Sequence, residues 1–156
     1  MTNYDDYYYL ENLFTHQEIE ELRKCTEENV AVNTQCFLDL HNLLKQKIEE
    51  KLGKKFTFHH ARFSNNNNPD GQTLHRDIKP YYFFNNTFPK IYTTVFYLDK
   101  SIFYLGNKTF YIKPGDVLIF NSLSLHAAGD ISFLKKNRRI LQWFHTFFDQ
   151  KEKKII

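Results

Sequence analysis

The chain has 156 residues and a mass of 18.8 kDa, the size of one ordinary domain, which excludes a machine built from two large lobes. Hydrophobic residues at 42% and charged residues at 25% allow a packed core and exclude wholesale disorder, and no apolar run approaches the roughly 18 residues of a membrane helix. A net charge of +3 permits a polyanionic partner without requiring one, so nucleic acid stays open but is not favoured.

Met1–Tyr9 is acidic and tyrosine-rich, with neither the basic nor the apolar region of a secretory signal. Thr15-His16-Gln17-Glu18 reads as a capping box opening a short helix, with Ile19 and Leu22 on its apolar face. A second helix is expected from about Thr34 to Leu52, because Phe37, Leu40, Leu44, Ile48 and Leu52 recur three or four apart. Gly53 supplies its stop. Cys25 and Cys36 both fall on these helices, without metal-ligand spacing, and predict a reducing, cytoplasmic setting.

After Gly53 the period changes. Lys55–Phe63 alternates and is rich in β-formers, whereas Ser64–Gly71 (SNNNNPDG) reads as a loop that would make a mobile rim. Ile91–Leu98, Lys108–Ile112, Val117–Phe120, Ser124–Ala128 and Arg138–Phe148 read as further strands, with a turn at Lys113-Pro114-Gly115-Asp116. The organisation expected is a single domain over 1–156. It comprises a helical part (1–54), a β core (55–150) and a basic tail (151–156). The class is α+β, mainly β, a sandwich or small barrel. The aromatic fraction of 17% suits such a core.

His75-Arg76-Asp77 carries the first chemistry. On an extended segment residues two apart point to one side, so His75 and Asp77 reach a common point. His126 follows an apolar strand well downstream. Two histidines and a carboxylate on one face of an octahedron are the facial triad of non-haem Fe(II) oxygenases, which leaves the opposite face open for co-substrate and dioxygen. His59 and His60 lie on a strand where one must face inward. His16 and His41 fall on helices as surface residues, and His145 shares a parity with Trp143 and reads as packing. HRDIKP also matches part of the kinase catalytic loop, but Tyr82 stands where a kinase needs a magnesium-binding Asn.

HRD, YTTVFYLDK, PGDVLIF, LHAAGD and RRILQWF follow one another in a set order, and the stretch from about Phe56 to Phe148 thereby resembles the Fe(II)- and 2-oxoglutarate-dependent dioxygenases. The resemblance is closest to their phytanoyl-CoA dioxygenase and prolyl-hydroxylase branches. It implies a double-stranded β-helix, a jelly-roll, cupin-like barrel with the N-terminal helices packed on one sheet. It implies His75, Asp77 and His126 as the Fe(II) ligands and catalytic centre. It also implies an arginine about a dozen positions after His126 that grips the distal carboxylate of 2-oxoglutarate through its planar fork.

Arg138 and Arg139 both answer that description. Strand parity puts Arg138 with Gln142 and Thr146, a more polar face than that of Arg139, and favours Arg138. Tyr97 matches a tyrosine that contacts the co-substrate in some prolyl hydroxylases. The activity implied is oxidative decarboxylation of 2-oxoglutarate by O2 to succinate and CO2, coupled to hydroxylation of a small molecule or peptidyl residue. The family's Gly-Gly-x-Thr stretch is missing, with Lys108-Thr109-Phe110 near its place. The segment after Asp77 is short and aromatic, so Arg76, Tyr81 and Tyr82 are the substrate candidates. Two other functions stay open: a nucleic-acid demethylase of the same superfamily and a non-catalytic cupin-like binding protein.

Overall fold

Period-two side-chain alternation in short β-rich segments builds two antiparallel sheets. In the computed structural model, residues 6–26, 35–66, 74–77, 91–129 and 138–148 are described. The strands are β1 (Tyr7–Leu10), β2 (Lys55–Asn66), β3 (Ile91–Tyr97), β4 (Ser101–Leu105), β5 (Lys108–Ile112), β6 (Val117–Asn121), β7 (His126–Ala128) and β8 (Arg138–Phe148). The helices are α1 (His16–Thr26) and α2 (Gln35–Leu52). A five-stranded sheet has the order β1-β6-β3-β8-β2 and a three-stranded sheet the order β5-β4-β7. No helix among the described residues is long and apolar enough to cross a membrane.

Strand parity divides the core in two. Tyr92 and Phe96 of β3, with Val117 and Ile119 of β6, point to one face of the large sheet. There they meet Ile19 and Leu22 of α1 and Leu40, Leu44 and Ile48 of α2. Leu44 and Ile48 are fully buried, each worth roughly 1.5–3 kcal/mol of apolar transfer. The opposite face presents Val95, Tyr97, Leu118 and Phe120 to Phe103, Leu105 and Ile112 from β4 and β5. This second cluster lies between the sheets, and the candidate site is built against it.

The helix ends follow their sequence signals. The Thr15 backbone N–H donates to Glu18 Oε1 (2.8 Å), and the Glu18 N–H donates to Thr15 Oγ1 (3.1 Å). Gly53 adopts φ 66° just past α2, and its N–H donates to the Glu49 carbonyl at 2.9 Å.

Four expectations need correction. The helices do not come first, because β1 precedes α1 and pairs with β6. Its YYYL run puts Tyr7 and Tyr9 on the inter-sheet cluster and Tyr8 and Leu10 on the helix side, so apolar residues line both faces and no alternation shows. Second, β4 is an additional strand. It forms a hairpin with β5 in which Leu105 faces Lys108, closed by Gly106 (φ 59°) and Asn107. Third, β2 continues through Ser64–Asn66, paired to positions 140–138 of β8, so these three residues are strand where a loop was expected; residues 67–73 lie outside the described residues. Fourth, β7 is limited to His126–Ala128. His41 is also half-buried, with its ring edge-to-face on Phe58 at 4.4 Å.

Candidate metal centre

The His75–Asp77 segment is zipped onto the turn that links β6 to β7. His75 and His126 exchange backbone hydrogen bonds (3.0 and 2.9 Å), and the Asp77 N–H donates to the Ser122 carbonyl at 3.1 Å. Arg76 strengthens the same seam, its Nε donating to the Leu123 carbonyl at 2.9 Å. The turn is held in its own right, because the Leu123 N–H donates to Asn121 Oδ1 at 3.0 Å. The two parts of the sequence that carry candidate ligands are therefore fixed to each other by main chain.

Three side chains converge there. One ligand atom from each of His75, Asp77 and His126 lies within 4.8 Å of the others. His126 Nε2 stands 3.2 Å from Asp77 Oδ1, and His75 Nε2 stands 3.7 Å from the same oxygen. His126 is 2% exposed and packs its ring against Phe103 and Phe120, with ring centres at 5.8 and 4.6 Å. His75 is half exposed and lies against the His126 ring at 4.4 Å, on the open side of the site.

The chemistry of the donors fits a cation. His126 Nδ1 is 2.9 Å from the Ser124 carbonyl oxygen, which only accepts, so Nδ1 carries a proton and, in the neutral ring, Nε2 carries the lone pair. Nε2 is buried and makes no hydrogen bond among the described residues. A nitrogen lone pair 3.2 Å from a carboxylate oxygen is repelled unless a positive charge, a proton or a metal ion, lies between them. Fixing one imidazole nitrogen through a backbone carbonyl so that the other faces the ion is the usual support of a metal-binding histidine.

The Asp77 side chain is largely covered, which by itself pushes its carboxyl up. The His126 and His75 rings and the Thr93 hydroxyl outweigh that and hold it below the usual carboxylate range. Thr93 Oγ1 donates to Asp77 Oδ2 at 2.8 Å and lies 2.7 Å from Ser122 Oγ. Neither hydroxyl drew attention in the sequence, although the parity of β3 aligns Thr93 with Val95 and Tyr97.

The other candidate residues are placed as follows. Tyr97 is fully buried in the inter-sheet cluster. Pairing of β3 with β8 sets Thr93 opposite Phe144, Val95 opposite Gln142 and Tyr97 opposite Ile140. Position 138 continues that face, and position 139 shares the parity of position 141, which pairs with Phe96 on the helix side. Position 60 pairs with Phe144 after a bulge, while His59 is exposed and 3.2 Å from Thr146 Oγ1. His145 is buried among Phe56, Tyr92 and Phe147, as a packing residue should be. Tyr81 and Tyr82, like the basic residues at 135–136 and the tail at 151–156, lie outside the described residues.

No protein-family model and no curated protein sequence matches the chain. Solved structures do. The collagen prolyl hydroxylase of Paramecium Bursaria Chlorella virus-1, in its 2OG complex, superposes with a TM-score of 0.66 at 13% identity, covering 92% of this chain and 97% of that one. The non-heme alpha ketoglutarate dependent epimerase SnoN gives 0.66 at 12% identity over 92% and 79% of the two chains. HygX of Streptomyces hygroscopicus, with nickel and 2-oxoglutarate bound, gives 0.63 at 12% identity over 94% and 83%. The fold is the double-stranded β-helix of the 2OG-Fe(II) oxygenases, with two helices against its larger sheet.

Proposed function

We propose that this protein is an Fe(II)- and 2-oxoglutarate-dependent dioxygenase that hydroxylates a small molecule or a peptidyl residue. The observation that carries the reading is the buried Nε2 of His126, aimed with His75 Nε2 at one oxygen of Asp77. His75, Asp77 and His126 hold the iron. Bound iron with 2-oxoglutarate supplies the oxidising chemistry, and succinate and CO2 leave as by-products. Arg138 anchors the distal carboxylate of 2-oxoglutarate, a role supported by its position on the strand face that carries Thr93 and Tyr97. Tyr97 lies beside that co-substrate. The phenyl rings of Phe103 and Phe120 keep water from the back of His126. The similar structures include a collagen prolyl hydroxylase and an epimerase from nogalamycin biosynthesis, which suits either substrate class. A reducing, cytoplasmic setting fits a chain with two cysteines.

The test is release of succinate from 2-oxoglutarate. Uncoupled turnover that needs added Fe(II) and disappears in His126→Ala is expected. Equal turnover in His126→Ala, with its fold intact, would refute the site.

A further inference from the structure

The two oxygens of Asp77 are treated differently. Oδ1 faces the two imidazole nitrogens, whereas Oδ2 accepts the Thr93 hydroxyl at 2.8 Å. Thr93 is fully buried in β3, as is Ser122 in the turn that pins Asp77. A threonine hydroxyl has one proton, and Thr93 gives it to the carboxylate. The contact of 2.7 Å with Ser122 Oγ must therefore run the other way, with Ser122 donating and Thr93 accepting. Ser122 is itself immobilised, because its N–H donates to the Ile91 carbonyl at 2.8 Å and its carbonyl accepts from Asp77.

We infer that Thr93, oriented by Ser122, is a positioning residue that holds Asp77 Oδ2 away from the metal, so that the carboxylate binds through Oδ1 alone. A carboxylate left free to rotate offers both oxygens and takes two coordination positions. Tied at Oδ2 it takes one, and a further position stays open for a co-substrate. The chain Ser122 to Thr93 to Asp77 places this control in β3 and in the β6–β7 turn, outside the ligand motif itself. The inference rests on the proposed metal site.

Cobalt(II) binding separates the two ideas. Wild-type protein is expected to bind one Co(II), followed by calorimetry and by the visible d–d spectrum. Thr93→Val keeps the branched shape and removes the hydroxyl. It is expected to weaken Co(II) binding by about 10- to 100-fold, the usual loss when a hydrogen-bond partner of a metal ligand is removed, and to change the d–d spectrum. Thr93→Ser restores both. Ser122→Ala, milder for folding, is expected to shift both in the same direction by less. If Thr93 only supports the strand, Thr93→Val melts earlier but keeps wild-type Co(II) affinity and spectrum, and that outcome overturns the inference. Should Thr93→Val not fold, unchanged cobalt binding in Ser122→Ala overturns it equally. A wild-type protein that binds no Co(II) instead sinks the metal reading on which it rests.

Discussion

His145 couples the stability of the large sheet to pH. Its side chain is fully buried on the helix side of β8, against the rings of Phe56 (4.6 Å) and Phe147 (4.9 Å). Burial, with a smaller repulsion from His59, pushes its imidazole down from 6.5 to about 3. Between those values the unfolded chain takes up a proton that the folded chain refuses, so stability is full above the unfolded value and declines as pH falls. Each pH unit below 6.5 costs about 1.4 kcal/mol from this group, hence about 2 kcal/mol at pH 5. Against a total near 5–15 kcal/mol that is a large share. Urea melts at pH 7.5 and pH 5 measure it, for wild type and for His145→Phe, which keeps an aromatic ring but cannot titrate. The wild type is expected to lose about 2 kcal/mol more than the variant over this interval. Equal losses, or an NMR titration placing the His145 ring near 6.5, would refute the reasoning.

Three other variants have expected outcomes. Tyr9 Oη donates to Oδ2 of the buried Asp116 at 2.6 Å, so Tyr9→Phe is expected to cost about 1.5–3 kcal/mol in denaturant melts, the worth of a hydrogen bond to a charged group. A methyl group at Gly129 would stand 2.8 Å from Ile102 Cβ and Cγ2, so Gly129→Ala should lower stability by about 1–3 kcal/mol. On the strand-face assignment, Arg138→Ala raises the concentration of 2-oxoglutarate needed for half-maximal turnover far more than Arg139→Ala does; the reverse ranking puts the anchor on the helix-side face.

How much of this was legible in the sequence depends on the kind of signal. The convergence of His75 with Asp77 was legible because they lie two apart on extended chain, whereas His126 joined them only through the family resemblance, and it is the folded chain that brings the three side chains within 4.8 Å of one another. The α2 stripe of Leu40, Leu44 and Ile48 was equally plain, because a helix buried on one side repeats every three or four residues. The β1 strand was hidden because tyrosine serves both of its faces, the inter-sheet cluster and the helix layer. The Gly106-Asn107 pair between Leu105 and Lys108 is the sequence signal for the β4–β5 hairpin. Thr93 and Ser122 carry no local signature, since a threonine inside IYTTVFYL satisfies β-propensity whether or not its hydroxyl has work to do. Their roles depend on a contact sixteen residues away in the chain for Thr93, and on a turn that only the folded backbone closes. Parity favoured position 138 over 139 for a polar cavity, but which face of β8 is inward is fixed by pairing with β3.

The central claim, that His75, Asp77 and His126 hold iron together with 2-oxoglutarate, is tested most directly by an anaerobic titration. Fe(II) and then 2-oxoglutarate are added to the purified protein while the visible spectrum is recorded. A weak charge-transfer band is expected that appears only when both are present, saturates at one iron per chain and is absent in His126→Ala. A wild-type spectrum that stays flat, with no iron retained after desalting, would contradict it.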